Sequence, residues 1–395
     1  MSEALELFER RFPGARGAVY RAFSPYRVCP LGAHVDHQYG LISGFAIDKG
    51  VELCYQMTGD GVIELVSEDF PGAARLSVLD RSIERAGDWG DFARGCVWAL
   101  GRRRRLWRGV RGVVRGSLPI GGLSSSAAVI LCYLQALLQA NDLLMDASEL
   151  IDVALEAERD YVGVSVGKLD QSCEVYARRG HLLFLDTLDQ TYELIAQPAH
   201  MPPFDIVVFY SGLSRKLGAG FNTRVDELKA ASWYLKALEG LPLGAFADSR
   251  LRDVPAQVYY RRENELPEPF RRRARHFYTE CERVRKGAQA FRAGDIAAFG
   301  RLVFESGLSS IQNYETGSEH LIALYEALTQ ADGVYGARFS GAGFKGCCVA
   351  LVDPARREQC VEYVTGKYLS RFPELRGAYS VHVCKTEDGV GGALT

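Results

Sequence analysis

The chain has 395 residues, with 47 basic against 49 acidic side chains and a formal net charge of -2. This length predicts two or three domains with a sizeable core, and the near-balance of charge argues against general nucleic-acid binding, which normally needs a strongly basic domain. Hydrophobic residues make up 47% of the chain and aromatic residues 11%, which excludes wholesale disorder.

Cysteine usage and hydropathy indicate the compartment. The N-terminal residues include Glu3, Glu6 and Glu9, where a secretory signal needs basic residues. The longest apolar run, 127–138, is well short of the roughly 20 residues of a membrane-spanning helix. None of the ten cysteines has the C-x-x-C spacing of a zinc or redox site. We therefore expect a reduced, cytoplasmic protein that does not contact membranes.

Hydrophobic patterning predicts an α+β chain. Segment 125–141 is apolar on nearly every face and predicts a buried helix, and a second helix is predicted at 147–161. Short apolar runs predict strands at 45–47, 63–66, 181–185, 205–210, 334–339 and 347–352. Between 224 and 328 the pattern is mostly helical. Prolines near residue 200 suggest a boundary, so we predict one domain over residues 1–195 and a second over 196–395.

Residues 341–346, the glycine loop, match G-x-G-x-x-G literally. In a dinucleotide site this motif follows a strand and opens a helix, whereas here a strand pattern follows it. The dinucleotide-binding interpretation is therefore rejected, because the motif is not followed by a predicted helix. Two alternatives are left: a place where the backbone must approach something closely, or an ordinary glycine-rich hairpin.

Residues 118–128, the serine loop, run from two glycines through three serines straight into the predicted buried helix. Serines are good N-caps, and the free N–H groups of a first helical turn can bind an anion such as a phosphate. The loop is not a Walker A motif, because G-x-x-x-x-G-K-[ST] does not occur in the chain. The alternative is a well-capped core helix with no ligand.

Residues 27–38, the ionisable segment, place Arg27, His34, Asp36 and His37 beside an apolar run. As a metal site the segment lacks H-E-x-x-H and any i, i+4 helical spacing. A carboxylate and an imidazole at this density also suit a polyhydroxylated ligand. By itself the segment leaves both interpretations open.

Taken together and in this order, the three segments resemble the motifs of the GHMP small-molecule kinases, specifically the galactokinase branch. Two more stretches agree: 157–171 resembles the part that contains the catalytic aspartate, and 89–95 resembles the part with the adenine-stacking tryptophan. The resemblance implies a two-lobed α+β fold. Its N-terminal lobe is like ribosomal protein S5, its C-terminal lobe is an α/β sandwich, and the active site lies between them.

The resemblance also implies roles for residues. Asp170 would be the base facing the anomeric hydroxyl, and Arg27 the cation beside it. The implied sugar-binding positions are Ala33, His34, Asp36, Gly167 and Phe221. The implied nucleotide-binding positions are Trp89, Gly121, Gly122, Leu123, Ser124, Ser125 and Ser126. Ser126 and Glu158 would hold Mg²⁺, with ATP as co-substrate.

One departure from the galactokinase pattern indicates which sugar is the substrate. Galactokinases carry Glu at the position of Ala33, where it bonds the C6 hydroxyl. Without that acid a 6-hydroxyl loses its partner, whereas a 6-carboxylate loses a repulsive neighbour. Segments 24–34 and 333–348 also resemble plant-type galacturonokinases. The expected reaction is therefore ATP plus D-galacturonate giving α-D-galacturonate 1-phosphate and ADP.

Other departures leave alternatives open. Phe221 stands where a tyrosine is usual, and Tyr39 replaces the first glycine of a usual Gly-Gly pair. Lys168 and Arg215 are hypotheses for the cation that meets the carboxylate. The alternatives are a 1-kinase of galactose, N-acetylated galactose or glucuronate, and a non-catalytic regulator that binds sugar and ATP. The sequence makes no prediction of oligomeric state.

Overall fold

The computed structural model describes residues 3–80, 82–119, 121–164, 166–213 and 220–393. Its strands form two sheets. The first has the order β4-β3-β5-β2-β6-β7, with β1 and β12 also paired to β2. The pairs are antiparallel except β3 with β5. Its strands are β1 (Tyr20–Val28), β2 (Leu41–Thr58), β3 (Val62–Ser67), β4 (Ala73–Ser77), β5 (Gly109–Gly116), β6 (His181–Asp186), β7 (Tyr192–Ala196) and β12 (Thr386–Glu387).

Helices from the first half of the chain pack with this sheet. They are α1 (Glu3–Arg11), α2 (Asp91–Gly101), α3 (Ser125–Ala140), α4 (Ala147–Glu156), which continues as a π-helical turn (Ala157–Val162), and α5 (Leu169–Tyr176). α3 packs against β1, β2, α2 and α4, which explains why its sequence is apolar on nearly every face. The helix predicted at 147–161 is therefore α4 and the π-helical turn together.

The second sheet has the order β11-β8-β10-β9 and is antiparallel throughout. Its strands are β8 (Asp205–Tyr210), β9 (Val334–Phe339), β10 (Cys347–Val352) and β11 (Ser380–Cys384). Every residue of β10 is buried. The remaining helices are α6 (Gly220–Glu239), α7 (Ala256–Arg262), α8 (Phe270–Arg292), α9 (Ile296–Gln312), α10 (Glu319–Gln330) and α11 (Arg357–Arg371).

Short 3₁₀ turns connect these elements, at Asp36–Gln38, Phe246–Asp248, Leu251–Asp253, Glu263–Glu265, Pro373–Leu375 and Val390–Ala393. The long α8 packs against β2, β6 and β7, so it joins the core of the first sheet, where the Phe291 and Phe45 rings lie 5.8 Å apart. A second core lies between the second sheet, α10 and α11. Because α8 belongs to the late part of the chain, it brings that part against the ionisable segment.

All ten cysteines are free thiols, and Cys347 and Cys348 are buried in β10, as expected for strand residues rather than a redox pair. Within the described residues, none of the helices combines the length and hydrophobicity required to cross a lipid bilayer.

Candidate active site

A buried ion pair lies at the centre of the candidate site. Arg27, near the end of β1, donates from Nε to Oδ1 of Asp170 in the first turn of α5 over 2.7 Å. Its Nη1 also donates to the carbonyl oxygen of Gly122 over 3.2 Å. The Arg27 side chain is 5% exposed and that of Asp170 is 20% exposed. One guanidinium thus joins a strand, a helix and the serine loop, and leaves the carboxylate open to a ligand.

The Arg27 guanidinium keeps its positive charge in this buried position. Burial lowers its pKa, but the nearby acidic groups, with Asp170 first among them, together outweigh burial, and the pKa of Arg27 lies above its ordinary value. A permanently charged guanidinium beside a carboxylate is suited to neutralising a phosphoryl group during transfer.

The serine loop packs backbone to backbone against the glycine loop. A Cβ on Gly121 would lie 3.0 Å from Cα of Gly346, and a Cβ on Gly341 would lie 2.9 Å from Cα of Gly122. All four glycines have positive φ. The literal G-x-G-x-x-G therefore has a structural explanation: its glycines allow the serine loop to approach, as the first of the two sequence alternatives predicts.

The start of α3 differs from the sequence expectation. Ser124 is the N-cap, but its φ is 65° and its side chain makes no capping hydrogen bond. A serine in this left-handed conformation costs about 1–2 kcal/mol, and its hydroxyl cannot reach the helix N–H groups. The prediction of a side-chain cap is therefore wrong. Ser125 and Ser126, in the first turn of α3, are partly exposed, and the N–H groups of this first turn can bind an anion.

The ionisable segment forms the other end of the site and is fixed by α8. Nε2 of His276 donates to the carbonyl oxygen of Ala33 over 3.0 Å, and the Gly32 N–H donates to Oε1 of Glu280 over 2.7 Å. The His34 ring stacks on Tyr314 with centroids 4.3 Å apart, and His34 Nε2 is buried without a partner. Burial is the main reason that the pKa of His276 falls to about 4 and that of His34 falls well below its ordinary range.

Asp36 and Gly167 meet directly. A Cβ on Gly167 would lie 2.1 Å from Oδ2 of Asp36, and the N–H of Leu169 donates to the same oxygen over 3.4 Å. A Cβ at position 167 would force the Asp36 carboxylate to move. Burial, together with the charge of Asp170, raises the pKa of Asp36 to about 6. The structure thus places the ionisable segment against the segment that contains Asp170.

The residues expected to hold Mg²⁺ are oxygen donors, which this ion prefers. Glu158 lies in the π-helical turn, is 1% exposed, and accepts a hydrogen bond from Nε2 of Gln171 over 2.7 Å. The described residues contain no group of three His, Cys, Asp or Glu side chains arranged to hold a metal. One carboxylate and one hydroxyl fit Mg²⁺, which normally takes its other ligands from phosphates and water.

Trp89 lies just before α2, and α2 packs against α3. The Trp89 indole donates to the carbonyl oxygen of Pro71 over 3.2 Å, and its ring is nearly parallel to Phe70, with centroids 6.2 Å apart. Phe70 is 41% exposed. A partly exposed pair of aromatic rings provides a stacking surface of the kind that nucleobases use.

The last four residues singled out from the sequence are Lys168, Arg215, Phe221 and Tyr39. Lys168 forms an ion pair with Asp152 over 2.8 Å, so it is already engaged. Arg215 lies outside the described residues, and only the backbone of Phe221 is described, in the first turn of α6. Tyr39 has a φ of 60° and lies under the Arg250 guanidinium, 5.3 Å from it.

Sequence reasoning missed the residues that fix the ionisable segment from α8 and from the end of α9. Buried Glu280 accepts from Ser306 Oγ over 2.5 Å, and the same hydroxyl accepts from Nη1 of Arg338 over 2.5 Å. Burial raises the pKa of Glu280, but Arg283, His276 and Arg338 together lower it to about 2. The sequence signal for these residues is that charged and aromatic side chains occur inside helices at positions that amphipathic patterning does not explain. That signal does not identify their partner, the ionisable segment, which lies more than 240 residues earlier in the chain.

Comparisons with known proteins agree with this arrangement. Residues 91–178 match the model of the GHMP kinases N terminal domain, and residues 288–370 match GHMP kinases C terminal. A galacturonokinase from Arabidopsis thaliana is 39% identical, with 94% of this chain and 93% of that protein covered. A galactokinase from Roseiflexus sp. (strain RS-1) is 33% identical, with 99% of this chain and 97% of that protein covered.

The structure agrees with solved ones. Lactococcus lactis galactokinase, solved with galactose, superposes with a TM-score of 0.87 at 26% identity, covering 98% of both chains. A mevalonate kinase superposes with a TM-score of 0.65 at 14% identity, covering 94% of this chain and 100% of the other, which shows a shared fold alone. The two-lobed fold expected from the sequence is confirmed. The chain belongs to the GHMP kinase family, in its galactokinase branch.

Proposed function

We propose that this protein is an ATP-dependent sugar 1-kinase that phosphorylates the anomeric hydroxyl of D-galacturonate to give α-D-galacturonate 1-phosphate. The observation that carries the choice of sugar is Ala33. It lies between Gly32 and His34, its carbonyl is fixed by His276, and it brings no carboxylate to the place where galactokinases have one. The 39% identity to a galacturonokinase supports the same choice.

The reaction follows from the Arg27–Asp170 pair. Asp170 accepts the proton of the anomeric hydroxyl, whose oxygen attacks the γ-phosphorus of ATP. A new O–P bond forms there, the bond from that phosphorus to the bridging oxygen breaks, and ADP leaves. Arg27 compensates negative charge on the transferring group, and the N–H groups at the start of α3 bind the phosphates.

ATP is the co-substrate, and Mg²⁺ is the ion that the donor set suits. Ser126 and Glu158 would hold Mg²⁺ against the phosphates, where it would neutralise charge on the γ-phosphoryl group. Gly121, Gly122, Leu123, Ser124 and Ser125 form the remainder of the triphosphate site. Trp89, with Phe70 beside it, provides the surface for adenine.

The sugar lies against the ionisable segment. His34 and Asp36 bind its hydroxyls, Gly167 allows Asp36 its position, and Phe221 is a further proposed sugar-binding position. We also propose domains over residues 1–195 and 196–395, with the partners limited to a small sugar acid and ATP, and a cytoplasmic location.

An assay of ADP release over a panel of hexoses and uronic acids tests the proposal. We expect galacturonate to have the highest kcat/KM. A galactose kcat/KM above that of galacturonate would mean that the second candidate, a galactokinase, is correct; the 33% identity to a galactokinase favours that candidate over other hexose kinases. Absence of turnover with every sugar would instead indicate a non-catalytic regulator.

A further inference from the structure

The proposed mechanism leaves one buried carboxyl unused. Glu174 lies in α5 four residues after Asp170, a spacing that puts both side chains on the same face of the helix. It is 0% exposed, and neither of its oxygens has a hydrogen-bond partner. Among the residues that the structure describes, no cation forms an ion pair with it. A group this buried and unsatisfied requires an explanation.

The surroundings of Glu174 disfavour its charged form. Burial raises its pKa well above the ordinary value, and the charges of Asp170 and Glu158 add to the effect, whereas Arg27 and the Ser124 hydroxyl oppose it. A neutral carboxylic acid has one O–H donor and a carbonyl acceptor, so it can both give and receive a hydrogen bond.

Like the Glu174 carboxyl, the Ser124 hydroxyl lacks a hydrogen-bond partner. It is buried, it does not cap α3, and the Ser124 φ of 65° is a conformation that glycine would adopt without strain. A serine at such a position requires a use for its side chain. The hydroxyl is near enough to the Glu174 carboxyl to influence its ionisation.

We propose that Glu174 is a positioning residue of the serine loop: its carboxyl group pairs with the Ser124 hydroxyl and holds the loop in the shape that receives the triphosphate. Arg27 holds the same loop at a different point, through the Gly122 carbonyl. The proposal rests on the proposed ATP site and adds to it a residue that does not touch the nucleotide.

The test measures Mg-ATP affinity by calorimetry without sugar, together with kcat and the melting temperature. Glu174→Leu removes the pairing and should raise the Kd for Mg-ATP about tenfold. Its kcat at saturating ATP should change little. Its melting temperature should change little, because burial of an apolar side chain of similar size offsets the loss of the pairing. Glu174→Gln keeps a donor and an acceptor and should bind nearly like the wild type.

Ser124→Gly tests the same pair from the loop and leaves the core intact. It should also weaken Mg-ATP binding, and the double variant E174L/S124G should lose less than the product of the single losses. Val175→Ala is the matched control on α5. It trims a neighbouring buried side chain and should lower the melting temperature without changing the Kd.

Three results would overturn the proposal: an unchanged Kd in S124G or E174L, losses that multiply fully in the double variant, or a Gln variant as weak as the Leu variant. Failure of the proposed function has a different signature, since the wild-type protein would then fail to bind Mg-ATP or to turn over any sugar.

Discussion

At the phosphate end of the candidate site, the charged Arg27 is bonded to Asp170 and to the serine loop. At the sugar end, His34 and His276 are uncharged imidazoles packed on Tyr314. In the proposed function, the first end compensates charge that moves during the reaction. The second is a tight, desolvated surface in which adding or removing one acid changes what fits. From this difference we expect chemistry and sugar choice to be separable properties of this chain.

The largest effect is expected at the phosphate end. Asp170→Asn removes the proton acceptor and should lower kcat by about 10²–10⁴-fold, the range for loss of a general base. Mg-ATP affinity should remain, because the nucleotide groups are on other elements. Calorimetry and single-turnover assays measure both. A near-normal kcat would contradict the role of Asp170 and remove the chemical half of the comparison.

At the sugar end, Gly167→Ala should act on geometry alone. The new Cβ would lie 2.1 Å from Oδ2 of Asp36, so the carboxylate must move. Displacement of about 1 Å in a positioned group can cost about 100-fold, and we expect a loss of that order in kcat/KM for the sugar. The KM for ATP should be unchanged. A parallel rise in both KM values would show that the two ends are not separable. Gly366→Ala, at an exposed glycine of α11 with open space around it and no positive φ, is a control for general effects.

Ala33→Glu should change sugar choice rather than catalysis. A second carboxylate beside a 6-carboxylate is repulsive, so we expect kcat/KM for galacturonate to fall about 10- to 100-fold. The value for galactose should stay or rise. Competition assays with both sugars give the ratio. Ala33→Gln is the uncharged match, and an equal loss with Gln would mean that size rather than charge decides.

The smallest effect concerns pH. Because burial and Asp170 raise the pKa of Asp36 to about 6 from an ordinary 3.8, kcat/KM for the sugar should fall below pH 6 as Asp36 takes up a proton. Asp36→Asn should remove that limb of the profile and weaken sugar binding at all pH values.

The raised pKa of Asp36 also makes the free energy of unfolding depend on pH. Between about pH 4 and 6 the native chain binds more protons at Asp36 than the unfolded chain does, so this group's contribution to the free energy of unfolding falls as pH rises. Asp36→Asn should therefore be more stable than the wild type at pH 8 and equal to it at pH 4. Denaturant titrations at both values measure this. An Asn variant less stable at pH 8 would contradict a buried, costly charge at the sugar end.

Much of the fold was predictable because its signals are local. The apolar faces of α3 and the strand patterns of β8, β9 and β10 follow from burial of neighbouring residues on one element. The glycine loop shows the limit. Its sequence indicates a close approach, but only the structure names the serine loop as the partner.

The site divides in the same way. The motif residues lie on few segments, and the structure brings Arg27, Asp170, Asp36 and Gly167 together. The supporting residues His276, Glu280 and Tyr314 come from helices far along the chain, and Ser124 adopts a strained conformation where propensity predicts an ordinary cap. Long-range packing decides these features, and no local pattern encodes it.

By itself, the sequence determined the family, the kinase chemistry and the missing acid at Ala33, because those depend on which residues stand in a few short motifs. The tertiary structure decided which ionisable side chains are paired and which are held away from their charged form. It ties Arg27 to Asp170, disfavours the charged forms of His34 and Glu174, and pairs Lys168 with Asp152. A net charge of -2 says nothing of these states, because burial and the nearest partner, not composition, set the ionisation of each group.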